Sequence, residues 1–195
     1  MKPKMSPLTS KVVLLLAAVD FVAYKLSSVP PATQLYLNSL WSYGRCPPLH
    51  PDIKYDEDEA RQLGWAEAIY TPGMEYILSE MRIKGQEETP LRWFHDAVYG
   101  ASLYTFNLFE LCENKHLPEA LQSSTYSDIA EVNIKNDSFD EIINACGQAL
   151  NEVEQFALHF NDARNRFENE LSSSKIELWP PFNGVTREGA EEWFH

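Results

Sequence analysis

The sequence predicts a mainly α-helical bundle built around one long C-terminal helix, with at most two short β-strands. From Phe139 to Leu171, apolar residues recur at alternating steps of four and three residues, the spacing of a stripe along one helix. Hydrophobic residues make up 44% of the 195 residues and charged residues 23%, proportions typical of a globular protein with a full core. We therefore expect one domain whose helices pack against this stripe.

The N-terminal region predicts two helices. Ser10 can cap a helix over residues 11–27 that is apolar nearly all round, which indicates a central, buried position. Asp20 lies on this helix and needs either a partner or an exit to solvent. Pro30–Pro31 ends it and starts a second helix that runs to about Ser42. A degenerate winged helix, a module that often serves in protein docking, is an alternative architecture for this part.

The middle of the chain predicts two further helices. A proline-rich loop over residues 44–55 is followed by four acidic residues at 56–59, which suit the positive N-terminal end of a helix. Thr89 and Pro90 form a helix start, a capping residue followed by proline at the first position. This helix is rich in aromatic residues, and Gly100 on it indicates a close approach to another helix.

The C-terminal helix is predicted to begin at a capping box formed by Ser138 and Glu141, and to end at the serines of 172–174. At about 1.5 Å per residue the helix would be roughly 50 Å long. Short strands fit residues 130–135, where apolar and polar residues alternate, and residues 175–179.

The apolar stripe of this helix, called the seam below, has one charged member, Arg164, where we expect burial to loosen. The seam comprises Phe139, Ile143, Cys146, Leu150, Val153, Ala157, Phe160, Arg164, Phe167 and Leu171. A second apolar row beside it comprises Ile142, Ala149, Phe156 and Ala163. Three apolar positions per heptad make a stripe wide enough for a bundle, wider than a two-stranded coiled coil needs.

The expected organisation is one helical domain over residues 1–174 and a tail over residues 175–195 that carries aromatic anchors. Aromatic side chains are typical hot spots of protein interfaces. The predicted interface residues are Phe156, Phe160, Phe167, Phe182, Trp193 and Phe194. Two alternatives stay open for the tail aromatics, which either contact a partner or fold back on their own domain.

Charge is unevenly distributed along the chain. Residues 1–50 carry +4 and residues 51–195 carry −17, for a total of −13. An acidic body repels phosphate backbones, so direct nucleic-acid binding is disfavoured outside the basic N-terminal region. The same charge favours a basic protein partner through electrostatic steering.

The N-terminal residues resemble a signal peptide, because three lysines precede eight apolar residues over 12–19. Asp20 follows directly, no small-x-small cleavage site is convincing, and the apolar run is far shorter than the roughly 20 residues of a membrane span. Three cysteines without a C-x-x-C pair fit reduced thiols. The sequence therefore predicts a cytoplasmic protein with no membrane attachment.

One stretch suggests chemistry. The sequence W-F-H-D-A-V-Y over residues 93–99 resembles the central dyad of HD-type metal phosphohydrolases, in which adjacent His and Asp bind a divalent metal that activates water. The resemblance covers seven residues and implies His95 and Asp96 as metal ligands and catalytic residues. The family adds an upstream histidine, for which His50 is the one candidate.

The family also needs a downstream aspartate, for which Asp128 and Asp137 are candidates, and the polar residues that follow the dyad are replaced here by 100–103. Glu113 and His116 match one half of a di-iron helix motif, but no second E-x-x-H occurs. No phosphate-binding glycine loop and no G-x-S-x-G motif are present, so we predict no cofactor.

Two functions are compatible with these features. The first is a non-enzymatic helical interaction module, an accessory subunit or adaptor with immunity-like and antitoxin-like roles included. Its partner would be a basic or coiled-coil-containing protein, with a homo-oligomer as a further option. The second is a metal-dependent phosphohydrolase centred on His95 and Asp96.

Overall fold

The computed structural model describes residues 7–43, 75–77, 79, 88–116, 136–173 and 186–195. Its helices are α1 (Pro7–Lys25), α2 (Pro31–Tyr43), α3 (Pro90–His116), α4 (Asn136–Leu150), α5 (Val153–Ser173), α6 (Arg187–Glu191) and the 3₁₀ helix η1 (Glu192–Phe194). The described part is helical and holds no strand, which confirms the predicted mainly α bundle and leaves no wing for a winged helix there. The strands predicted at 130–135 and 175–179, and the elements predicted over 44–59, lie outside the described residues.

Helix α1 is the central helix of the bundle. Every residue over 12–20 is buried, and the helix packs against α2, α3, α4 and α6. A helix that is apolar on all sides gains most when neighbours surround it, at about 25 cal/mol per Å² of apolar surface removed from water. The predicted central position of this helix is therefore confirmed.

The predicted helix starts of α2 and α3 are confirmed. Helix α2 begins at Pro31, and its first turn closes with Gln34 N donating to Pro30 O at 3.1 Å. Thr89 caps α3, because its Oγ1 accepts a hydrogen bond from the Arg92 amide at 3.2 Å. Proline at the first helical position removes a donor that would otherwise be unsatisfied.

The prediction of a single long C-terminal helix is wrong, because the helix breaks at Asn151 into α4 and α5. Asn151 has φ 56°, a left-handed conformation that asparagine tolerates better than most residues. The turn stays hydrogen-bonded, since the Glu152 amide donates to Gly147 O at 2.9 Å. A Cβ on Gly147 would lie 2.7 Å from Val153 Cα, so the glycine permits the tight turn. Helix α4 also begins at Asn136, ahead of the predicted capping box.

The second apolar row is the more deeply buried stripe of α4 and α5. Ile142, Ala149, Phe156 and Ala163 are all at most 5% exposed. In the seam, Cys146, Phe160 and Phe167 are equally buried, whereas Arg164 is exposed and pairs with Glu168 at 3.1 Å. Arg164 is therefore exposed as predicted, but burial does not loosen around it, since Ala163 and Phe167 on either side stay buried.

Helices α3 and α4 approach each other closely at Gly100. A Cβ at this glycine would lie 2.8 Å from Ile142 Cδ1, closer than side-chain carbons pack. A glycine here lets the two helices come together without displacing Ile142. The predicted close approach is confirmed.

Candidate functional site

Asp20 is the centre of a buried polar cluster that joins three helices. Its side chain on α1 is 3% exposed and accepts two hydrogen bonds from Arg187 of α6, from Nε to Oδ2 and from Nη2 to Oδ1, each at 2.8 Å. Trp41 of α2 donates from Nε1 to Oδ2 at 2.7 Å. Arg187 Nη1 also donates to Asn38 Oδ1 at 2.6 Å. The partner that Asp20 was expected to need is thus a residue 167 positions away.

Burial dominates the ionisation of this carboxyl group. Desolvation raises the pKa of Asp20 from 3.8 to about 6, while the charge and hydrogen bonds of Arg187 and the hydrogen bond of Trp41 oppose the rise. The nearby charge of Glu191 adds slightly to it. A buried carboxylate depends on such partners, since removing one of them leaves an uncompensated charge in the core.

Residues 186–195, called the C-terminal segment below, fold onto the bundle as α6 and η1. Thr186 caps α6, because its Oγ1 accepts from the Gly189 amide at 3.1 Å. Helix α6 packs on α1, and η1 packs on α5 and α1. Trp193 and Phe194 are 4% and 2% exposed, so the segment's aromatic side chains belong to the core.

These two aromatics fill a groove between α1 and α5. The aromatic groove consists of Phe21, Phe156, Phe160 and Phe167. The Trp193 ring lies 4.5 Å from the Phe167 ring, centroid to centroid. The Phe194 ring lies 5.5 Å from Phe21, 6.5 Å from Phe156 and 6.2 Å from Phe160. These are the separations at which aromatic pairs attract beyond simple area burial.

Two side chains of α5 bind the backbone of the C-terminal segment. His159 Nε2 lies 2.7 Å from the Phe194 carbonyl oxygen, and Arg166 Nη1 donates to the Trp193 carbonyl at 3.2 Å. A carbonyl can only accept, so His159 carries its proton on Nε2. The segment is therefore recognised through its main chain as well as through its aromatic rings.

The surface next to the groove presents aromatic and basic side chains. Tyr24 is 75% exposed, and its ring meets the His195 ring edge-on at 5.9 Å. Lys25 Nζ lies 5.4 Å from the Phe21 ring centroid and 6.0 Å from that of Tyr24, within cation–π distance. We call Tyr24, Lys25 and His195 the aromatic rim.

The predicted interface residues lie inside the chain's own core. Phe156, Phe160, Phe167, Trp193 and Phe194 are between 1% and 4% exposed and contact one another. Phe182 lies outside the described residues. Trp193 and Phe194 fold back on their own domain, one of the two alternatives for the tail. The aromatic groove buries both rings against other aromatic side chains.

His95 and Asp96 point to different environments. His95 is 2% exposed, and its Nε2 lies 3.1 Å from Thr33 Oγ1 of α2. Asp96 is half-buried, pairs with Arg92 at 3.5 Å, and has its pKa raised mainly by burial. Neighbouring residues on a helix project about 100° apart, which explains the divergence.

Within the described ranges, no group of three or more His, Cys, Asp or Glu side chains has the proximity to hold a metal ion. The further ligands implied by the resemblance, His50 and Asp128, lie outside those ranges, and Asp137 lies in the first turn of α4. Cys146 is buried, which raises the pKa of its thiol to about 12 and keeps it protonated and unreactive at neutral pH.

The sequence singled out Asp20, a carboxylate on an apolar helix, and the aromatic residues of the site, but not the polar side chains that bind the C-terminal segment. Nothing near Arg187, His159 or Arg166 in the sequence indicates which carboxylate or carbonyl each would meet. Tyr24 is one of nine tyrosines, and no pattern marks it as exposed.

Comparisons with protein-family models, with curated proteins and with solved structures found no match to this chain. None of the described helices combines the length and apolar content that crossing a bilayer requires. The candidate site therefore rests on its own geometry.

Proposed function

We propose that this chain is a helical protein–protein interaction module, an accessory subunit or adaptor of a larger assembly, with immunity-like and antitoxin-like roles in the same class. The observation that carries the proposal is the aromatic rim. Tyr24 exposes 75% of its surface beside His195 and Lys25. An exposed tyrosine that contacts a neighbouring ring and a neighbouring ammonium group is typical of an interface hot spot, because it loses little side-chain entropy on binding.

The partner we propose is a basic protein acting in the cytoplasm. A net charge of −13 attracts basic surfaces and speeds their association at low ionic strength. Three cysteines in 195 residues, with Cys146 a free buried thiol, favour a reducing compartment. A second copy of the chain remains an alternative partner, which light scattering of the purified protein distinguishes.

Replacement of Tyr24 tests the rim. The partner is first captured from the native host with the wild-type chain and then purified for calorimetry. We expect Tyr24→Ala to weaken its binding by at least tenfold, about 1.4 kcal/mol, with unchanged helicity. The matched control is Leu158→Ala, which alters an apolar side chain on α5 that is 62% exposed. If the partner bound Tyr24→Ala and Leu158→Ala with equal affinity, the aromatic rim would not be part of the interface.

The enzymatic alternative is tested on the same preparation. Metal analysis and a phosphatase screen in Mn²⁺ are expected to be blank for an interaction module. Hydrolysis by the wild-type chain that Asp96→Ala abolishes would contradict the proposal and favour the phosphohydrolase. Arg92→Ala serves as the control, because it removes the ion pair of Asp96 and leaves the carboxylate in place.

A further inference from the structure

We propose that the C-terminal segment is a displaceable intramolecular ligand, and that the aromatic groove beneath it accepts a basic partner peptide carrying an arginine followed, six residues later, by two adjacent aromatic residues. This inference rests on the proposed function and names the partner's chemistry. The segment would then act as an autoinhibitory strap that the partner replaces.

The first support is that the groove recognises main-chain atoms. His159 and Arg166 bind the carbonyl oxygens of Phe194 and Trp193, which every peptide possesses. Any segment that follows the same backbone course can accept these two hydrogen bonds. The groove therefore presents polar groups that can bind the main chain of a peptide.

The second support is the nature of the anchors. Specific recognition of the C-terminal segment comes from the Arg187 guanidinium on Asp20 and from the rings of Trp193 and Phe194 in the aromatic groove. Arginine and aromatic residues are the types that dominate binding energy at interfaces. A competitor that keeps these three side chains keeps the specific contacts.

The third support is electrostatic, because the net charge of the segment has the same sign as that of the rest of the chain. It carries Arg187 against Glu188, Glu191 and Glu192, a net charge of −2 within a chain of −13. All three glutamates are exposed. Glu191 lies 3.7 Å from Arg187 of the same segment, and its charge also contributes to the raised pKa of Asp20. A peptide with the same anchors and lysines at the glutamate positions would be attracted to the acidic chain by its net positive charge.

The test uses the full chain and three fluorescent peptides based on residues 186–195. The first has the native sequence, the second carries Glu188→Lys, Glu191→Lys and Glu192→Lys, and the third adds Trp193→Ala and Phe194→Ala to the second. Anisotropy gives each affinity at 150 mM salt. We expect the second peptide to bind at least tenfold more tightly than either of the others. Equal binding of the second and third peptides would show charge attraction alone and overturn the proposal, and so would no binding by the second.

The site of binding is tested by hydrogen exchange of the amides of 186–195 in the wild-type chain. Saturation with the second peptide should speed their exchange by at least tenfold, since the segment leaves the groove. Unchanged protection overturns the proposal even if the peptide binds. A full-length Trp193→Ala, Phe194→Ala variant should bind the second peptide more tightly than the wild type does, and the hydrogen-exchange result decides alone if that variant loses its helical signal.

The outcomes separate this inference from the proposed function. A partner whose binding needs Tyr24 but leaves the amides of 186–195 protected from exchange supports the interaction module. It contradicts displacement of the C-terminal segment. If the peptide displaces the C-terminal segment but no partner depends on Tyr24, the result supports peptide binding in the aromatic groove. It contradicts an interface at the aromatic rim.

Discussion

At Asp20 a carboxylate lies within an apolar helix and is held there by the guanidinium of Arg187 and the indole of Trp41. The bidentate contact with Arg187 satisfies both carboxylate oxygens, and the Trp41 N–H adds a third hydrogen bond. Burial still outweighs these contacts and raises the pKa of Asp20 to about 6. The folded chain therefore binds a proton at this residue more tightly than the unfolded chain does.

This difference predicts how stability depends on pH. Because the folded pKa of Asp20 is about 6 and the unfolded value is 3.8, its contribution is fully present below pH 3.8 and is lost as pH rises through 6. The free energy of unfolding should fall over this window by on the order of 3 kcal/mol from this group. Urea unfolding followed by circular dichroism measures it, with Asp20→Asn as the non-titrating control. If the free energy of unfolding fell with pH equally in the wild type and in Asp20→Asn, the raised pKa of Asp20 would be contradicted.

At the scale of elements, the break at Asn151 converts one expected helix into an antiparallel pair of contacting helices. The step from Leu150 to Val153 is three residues, so the seam keeps its spacing across the break. Periodicity measures spacing and cannot distinguish a continuous helix from two helices joined by a two-residue turn. The local features of the break are the left-handed conformation of Asn151 and the absence of a side chain at Gly147.

The conformation of Asn151 predicts an ordered series of stabilities. Asn151→Gly should match or exceed the wild type, because glycine adopts φ 56° without steric cost. Asn151→Val should lose about 1 to 2 kcal/mol, since a β-branched residue is disfavoured there. Thermal unfolding gives the order, and Asn161→Val on the exposed side of α5 controls for the new side chain. If Asn151→Val unfolded at the same midpoint temperature as the wild type, the result would favour a continuous helix.

At the scale of the whole molecule, the C-terminal segment joins the two ends of the described chain. Arg187 connects it to α1 and α2, and Trp193 and Phe194 connect it to α5. These contacts span up to 167 positions in sequence. The position of the segment therefore depends on α1, α2 and α5 together.

Loss of Arg187 should destabilise the whole molecule. Arg187→Ala leaves the Asp20 carboxylate buried without its partner, which costs about 3 to 5 kcal/mol at such sites. Arg164→Ala removes an exposed ion pair with Glu168 and should cost at most about 1 kcal/mol. Chemical denaturation at pH 7.5, where Asp20 is ionised, compares the two variants. Similar losses would mean that the buried pair contributes no more than a surface pair.

The sequence by itself determined the helical class, the starts of α2 and α3, the central burial of α1 and the close approach at Gly100. Each was indicated by a residue type or by residues a few positions apart, such as the Thr89 cap of α3, although the contact that Gly100 allows is with Ile142 of another helix. Only the tertiary structure decided that Asp20 pairs with Arg187, that Trp193 and Phe194 enter the groove, and that the seam belongs to two helices. Those outcomes depend on which buried surfaces and charges the folded chain brings together. Local patterns carry no record of such partners, which lie from 27 positions apart for Arg166 and Trp193 to 167 for Asp20 and Arg187.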